Sequence, residues 1–371
     1  MRILHIIGSM RLGGAQTCLK YLVERNQNPD IEQFVYPLRP RPVEIALQAK
    51  VIQYNYPNYD PRKFWAILRI CNDYDIDIIH AHLHKPILGA LLATYFCDVR
   101  VVVHEHGPIF RPGVQYSAYR RLLRRLHHRA SRFIANSQAT ARQLQKVANV
   151  DPQEIEVIYN TVDLETFQPN EAARNRLRRE YHFTDDDIIL GYAGRLHEVK
   201  GVDLLIEAMA ILLKKSPHYR LLLLGHGPDQ PALEKQTQQL GIQQHVQFLG
   251  FRRDVAEFMN AFDIGVVPSR QEPFGIVALE FMRAKVPLVC SDADGLAEFV
   301  RHEENALVPS PNTPENIADC IERLALDPDL AQKISDTAYQ CTEAFGVENQ
   351  IQALERVYRE VLTGRNPSES A

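Results

Sequence analysis

The predicted fold class is α/β, with two doubly wound domains of parallel strands, and three observations predict it. Short runs rich in Ile, Leu and Val alternate along the chain with amphipathic stretches of roughly 10–15 residues, the pattern of buried parallel strands and the helices that cover them. The 371 residues, 45% of them hydrophobic, suffice for two ordinary cores. Charge divides the chain as well: residues 1–180 carry 25 Lys and Arg against 17 Asp and Glu, and residues 181–371 carry 17 against 29.

The same composition excludes several classes. No apolar run is long enough to span a bilayer, and MRILHIIGSMRLGG lacks a signal-peptide cleavage region, so a cytoplasmic protein is expected. The six cysteines are scattered without a C-x-x-C pair, which suits free thiols rather than a disulfide framework. The basic first half points to an anionic partner. Its densest cluster, the segment Arg111 to Arg132, would as a helix be basic and amphipathic, suited to an anionic membrane at its inner face or to a phosphorylated acceptor; a solvated helix face fits the charges equally well. Nucleic acid is not expected, since no binding motif is present and the pI is about 6.4.

Taken in order, Arg2 to Gly8 reads as an opening strand, followed by a glycine-containing turn and a helix from about Ala15 to Glu24. The spacing of Gly8, Gly13 and Gly14 does not fit the dinucleotide fingerprint. Strands are predicted at 34–38, 51–54, 76–80, 99–104 and 133–135, with helices at 61–72 and 86–95 between them. Histidines gather at two strand ends: His80, His82 and His84 alternate, as do His104 and His106, so each set could share a face. No metal is expected there, because no ligand-spaced Cys or Asp accompanies them. Asn136 or Ser137 reads as a helix N-cap.

In the second half, 169–187 reads as an interdomain connection. IILGYAGRLHEVKG follows as strand, loop and helix entrance, where Arg195 and Lys200 would neutralise a diphosphate beside a helix N-terminus, although by themselves they fit a pair of surface cations better. RLLLLGHGP repeats the pattern, and Gly225 permits close approach of a ligand. The stretch from Asp263 to Asp294 reads as strand, loop, helix and strand. Its Glu272 and Glu280, two helical turns apart, should point to one crevice, with free backbone N–H groups between them. A sugar joined to a phosphate suits such a site, although acidic pairs are also common on solvated helices.

The string EPFGIVALE, followed by a small residue, Pro and a strand, resembles the E-x7-E motif of retaining glycosyltransferases of family 4, which have the GT-B fold of two Rossmann-like domains facing a central cleft. GRLHEVKG is similar to the family's donor-phosphate motif, GGAQ to its glycine loop, EHG to its active-site His-Gly, and YNTVDLETF to the segment closing its first domain, with Thr161 in place of the usual glycine. The resemblance covers nearly the whole chain.

It implies transfer of a sugar from a UDP- or GDP-linked donor to an acceptor hydroxyl, with retention and without metal or cofactor, in polysaccharide, lipopolysaccharide or glycolipid synthesis. The acceptor would be a sugar or a lipid-linked glycan. Arg195 and Lys200 would stabilise the departing diphosphate, Glu272 bind sugar hydroxyls, and His106 contact the sugar. The donor would further be held by Gly13, Gly14, Gly225, Phe251, Arg252, Phe274, Gly275, Ile276, Val277 and Glu280, the last on the ribose. Domains are expected at 1–168 and 169–346, with a terminal helix at about 347–363 packing back on the first. A sugar-nucleotide epimerase of the same fold, a polymerising synthase and a non-catalytic sugar-nucleotide-binding module are the alternatives.

Overall fold

The computed structural model describes residues 1–11, 13–39, 45, 47–57, 60–107 and 114–364. The chain divides into two units, Met1–Thr161 with the segment from Val347 onward, and Val162–Gly346.

The first unit is built on seven strands: β1 (Arg2–Ile7), β2 (Glu32–Pro37), β3 (Lys50–Val51), β4 (Ile78–His82), β5 (Arg100–Glu105), β6 (Arg132–Ala135) and β7 (Ile155–Val157). They pair in the order β3-β2-β1-β4-β5-β6-β7, each pair parallel. Side chains alternate between the two faces. Leu4 and Ile6 enter a core with Ile79, Ala81, Val101 and Val103, covered by helices that include Arg62–Asp73, His84–Ala93 and Gln138–Ala148. Ile3, Ile78, Val102 and Ile134 point the other way, against Leu22 of the helix Gly14–Arg25 and Leu354, Val357 and Tyr358 of the helix Val347–Thr363. With apolar residues needed on both faces, the strands read as continuous hydrophobic runs.

The second unit has five strands: β8 (Ile188–Ala193), β9 (Tyr219–Leu224), β10 (Val246–Gly250), β11 (Ile264–Val267) and β12 (Leu288–Cys290). They are parallel in the order β10-β9-β8-β11-β12. The order reverses between β8 and β11, the topological switch point beyond whose strand ends ligands bind in such sheets.

Three expectations need adjustment. The division falls between 161 and 162 rather than 168 and 169, because Val162 N–H donates to Phe345 O and Leu164 O accepts from Arg283 Nε, both within the second unit. The stretch expected as a connection contains a helix of that unit, Glu171–Glu180, held by Arg174 and Arg178 to Asp263. The basic segment forms the helix Val114–Leu126, but its apolar Tyr119 and Leu123 are buried in the unit's own core, leaving Leu122 exposed beside the arginines. Arg111 lies outside the described residues. Among the described residues no helix is long and apolar enough to cross a membrane.

Candidate active site

In the second unit the two motif loops leave neighbouring strands. GRLHEVKG follows β8 and the loop carrying Glu272 follows β11, so the switch point sets them side by side. Backbone bonds tie them together, with the N–H groups of Arg270 and Gln271 donating to Val199 O at 2.8 and 3.2 Å. Arg270 also makes a two-pronged pair with Asp203, at 2.7 and 2.6 Å. Gly201 lets the loops approach: its φ is +67° and a Cβ there would stand 2.1 Å from Pro268 O.

The consequence is a contact between the two motifs' central charges. Lys200 Nζ pairs with Glu272 Oε2, and Ser269 Oγ donates to the same oxygen at 3.3 Å. Glu272 is 6% exposed, so burial would penalise its charge were Lys200 not beside it. Its backbone is fixed as well, the N–H donating to Asp294 Oδ2 at 3.1 Å and the carbonyl accepting from Gly295. Arg195 is exposed on the same loop, and its side chain has no partner among the described residues.

The helix after this loop runs Ile276–Arg283. Gly275 caps it in the left-handed region at φ +98°, where a Cβ would meet Leu296 Cδ2 at 2.3 Å. The N–H groups of Gly275, Ile276 and Val277 find no acceptor among the described residues, as expected for a helix start. Phe274 is buried against Phe299 and Phe345, so its contribution is packing plus backbone. The helix starts at Ile276, so Glu272 stands in the loop, as expected, and only Glu280 is on the helix; the two are not related by two helical turns. Glu280 has no hydrogen-bond or ion-pair partner among the described residues, and burial pushes it up to about 7.

Gly225 lies just past β9, with its N–H donating to Gly250 O at 2.7 Å. Phe251 follows β10, is 38% exposed and meets His226 edge to face. Arg252 is engaged locally, paired with Asp254 at 2.9 and 2.6 Å and stacked over Phe258, so it is less free than a base-reading residue would need to be.

The first unit holds the remaining candidates. Gly13 precedes the helix Gly14–Arg25, whose Gln16 side chain donates to Ser9 O at 3.1 Å. His106 lies past the end of β5 in a cluster with His5, His80, His82 and His104. Register explains the cluster: His5 stands opposite His80 and His82 opposite His104, so all four point to one face. His84 leaves it, since Leu83 turns the chain at φ +70° and His84 instead packs on Tyr116 and Tyr119. The rings bond to one another: His80 Nε2 to His104 Nδ1 at 3.2 Å, His82 Nδ1 to His106 Nε2 at 3.0 Å, and His80 Nδ1 to Tyr358 Oη at 2.6 Å. Burial drives every one of them well below the usual imidazole range, to about 4 for His5 and His106, so all are neutral at pH 7. Ring nitrogens of His5, His80 and His82, and of His82, His104 and His106, lie within 4.8 Å of one another, a spacing that could hold a metal ion. Next door, burial raises Glu105 to about 8 against the Tyr119 hydroxyl that donates to it.

The sequence reading missed Ser269, Asp294 and the depth of the histidine network. His5 could have been found by aligning the alternate positions of the first strand with HAH.

Two parallel, doubly wound units, the second with a cation-acid pair beside a helix start at its switch point, define the GT-B class. The family models agree: Glycosyltransferase Family 4 matches residues 12–166 and Glycosyl transferases group 1 matches residues 173–341. The chain belongs to this family of glycosyltransferases. An uncharacterized glycosyltransferase of Methanocaldococcus jannaschii is 31% identical over 261 residues, 68% of this chain and 66% of that one. The D-inositol 3-phosphate glycosyltransferase of Saccharomonospora viridis is 30% identical over 244 residues, 63% of this chain and 56% of that one. These matches span between half and two thirds of the relatives' own lengths. The Anabaena protein HepE, solved in complex with UDP, superposes with a TM-score of 0.83 at 25% identity, over 97% of this chain and 100% of that one.

Proposed function

We propose that the protein moves a sugar from a UDP-linked donor to an acceptor hydroxyl with retention of configuration. The observation that carries this reading is the meeting of Lys200 with the buried Glu272 beside the unused N–H groups of Gly275, Ile276 and Val277. UDP is favoured over GDP because HepE was solved with UDP. Arg195 and Lys200 neutralise the diphosphate as the C1–O bond to it breaks, and the N–H groups at the helix start add to that field. Glu272 accepts hydrogen bonds from sugar hydroxyls and Glu280 from the ribose; His106 contacts the sugar. The acceptor oxygen bonds to C1 on the face the diphosphate leaves, and its proton passes to the departing phosphate oxygen. These charges do in protein what a metal ion would otherwise supply.

An anionic acceptor fits the first unit. A cavity of about 280 Å³ there is lined by Gly8, Arg39, Lys63 and Lys85 among others. Burial lowers Lys63, the neighbouring Arg39 and Lys85 lower it further and Asp60, also in the lining, raises it, so three cations outnumber one carboxylate there. The relative named for D-inositol 3-phosphate supports a phosphate-bearing acceptor, and a lipid-linked phosphate at a membrane face has the same chemistry.

The test is UDP release from a panel of UDP-sugars with and without phosphorylated acceptors. Glu272→Ala should abolish acceptor-dependent release yet retain UDP binding, since Lys200 remains. Unchanged turnover in that variant would remove Glu272 from the site. A new sugar nucleotide formed from donor alone would replace transfer with epimerisation, and binding without turnover would leave a binding module.

A further inference from the structure

Cys71 and Cys97 meet in the first unit, although no short spacing links them in the sequence. Cys71 stands in the last turn of the helix Arg62–Asp73 and is 6% exposed. Cys97 follows the helix His84–Ala93 and is half-buried, next to the exposed Phe96. Their thiols share a side-chain hydrogen bond. Both backbones are fixed: Cys97 N–H donates to Ala93 O at 3.0 Å, and Cys71 O accepts from Ile76 N–H at 3.0 Å. The two sulfurs are therefore neighbours by virtue of the fold, and turning them into bonding distance takes roughly 2 Å of approach, which side-chain torsions supply.

Cysteine also serves as a small core hydrophobe, and Cys71 belongs to the core on one face of the sheet. Packing alone gives no reason for a second thiol as its neighbour. Cys290 and Cys341 have other partners, Ser291 O at 3.3 Å and Asn305 Nδ2 at 3.7 Å. In the pair, burial raises both thiols, Cys71 to about 12, while the bond between them lowers Cys97. Cys97 is thus the thiol that ionises first and the one solvent reaches, with Cys71 behind it.

We propose that Cys71 and Cys97 form a reversible disulfide site, closed by exchange with a small disulfide such as oxidised glutathione. The Cys97 thiolate attacks one glutathione sulfur, breaking the S–S bond and releasing one glutathione thiolate. The Cys71 sulfur, its proton passing to water, then attacks the Cys97 sulfur and displaces the second glutathione. Two cysteine thiols are oxidised to one disulfide, one glutathione disulfide is reduced to two thiols, and the two protons lost by the cysteines end on them. The new bond ties the end of one helix to the turn after the other. Lys63 and Lys85 of the cationic cavity lie at the opposite ends of these helices, so its lining is left as it is.

The test is incubation of the folded, full-length protein with oxidised glutathione, followed by peptide mapping. A peptide linked through Cys71 and Cys97 and free of glutathione is expected, reversed by dithiothreitol and formed about tenfold faster per pH unit on the alkaline side, as the thiolate fraction grows. Cys71→Ser should hold glutathione on Cys97 as a lasting mixed disulfide. Cys97→Ser, a change at a half-buried position, should leave Cys71 unreacted. The linked protein should melt at higher temperature than the reduced one, because the bond restricts the unfolded chain, and the same treatment should not raise the Tm of Cys97→Ser. Absence of the linked peptide, glutathione that stays on Cys97 in the parent, or Cys71 reacting as fast in Cys97→Ser as in the parent overturns the proposal.

Discussion

Lys200 and Glu272 show how residue chemistry and folding are joined in this protein. Lys200 is the cation beside a carboxylate that is 6% exposed, so removing it leaves a buried charge uncompensated, a loss of about 3–5 kcal/mol for a fully buried pair and less for this partly open one. Lys200→Ala should therefore lower both stability and UDP affinity, whereas the double variant Lys200→Ala with Glu272→Gln should regain stability but not affinity. Denaturant melts paired with UDP titrations separate the two, and full recovery of affinity in the double variant would contradict a phosphate role for Lys200. The proposed roles of Lys200, Glu272 and His106 could be drawn from the sequence because each stands in a motif at a strand end. Partners were less legible. That Arg252 is spent on Asp254, or that His5 aligns with His80, depends on strand register and rotamers, which a linear pattern does not encode.

Elements carry the site through backbone geometry. The helix Ile276–Arg283 begins where it does because Gly275 adopts φ +98° against Leu296, conditions that no residue with a Cβ meets without strain. Gly275→Ala is expected to cost about 1–3 kcal/mol and to weaken UDP binding by displacing the N–H groups of Ile276 and Val277. Equilibrium unfolding measures the first effect and titration the second; a variant as stable as the parent would show that the turn is not constrained. Strand positions and most helices were readable, since runs such as RILHII and RLLLL have no polar face and so belong to buried parallel strands. The helix Glu171–Glu180 was not. Its composition is that of a solvated linker, and its place is fixed by Arg174 and Arg178 reaching Asp263, far along the chain.

For the whole molecule, the buried histidines link stability to pH. His5, His80, His82, His104 and His106 are held below their ordinary value of 6.5 by burial, so the unfolded chain binds more protons between that value and about 4. Stability contributed by their neutral forms is present above pH 6.5 and is lost as pH falls through this window. Glu105 and Glu280, raised by burial to about 8 and about 7, act oppositely and favour the fold most below 4.5. Five groups outweigh two, so Tm should fall between pH 6.5 and 5, and His80→Gln should flatten the fall; a profile level across that range would contradict neutral burial. The central claim, a UDP-sugar site built by the second unit's paired loops, is tested most directly by thermal shift with UDP, GDP and ADP on the parent and on the double variant Arg195→Ala with Lys200→Ala. The expected result is a rise in Tm with UDP, equivalent to about 2.7 kcal/mol at a hundredfold excess over Kd, that is absent in the variant. No shift with any nucleoside diphosphate, or an equal shift in parent and variant, would contradict it.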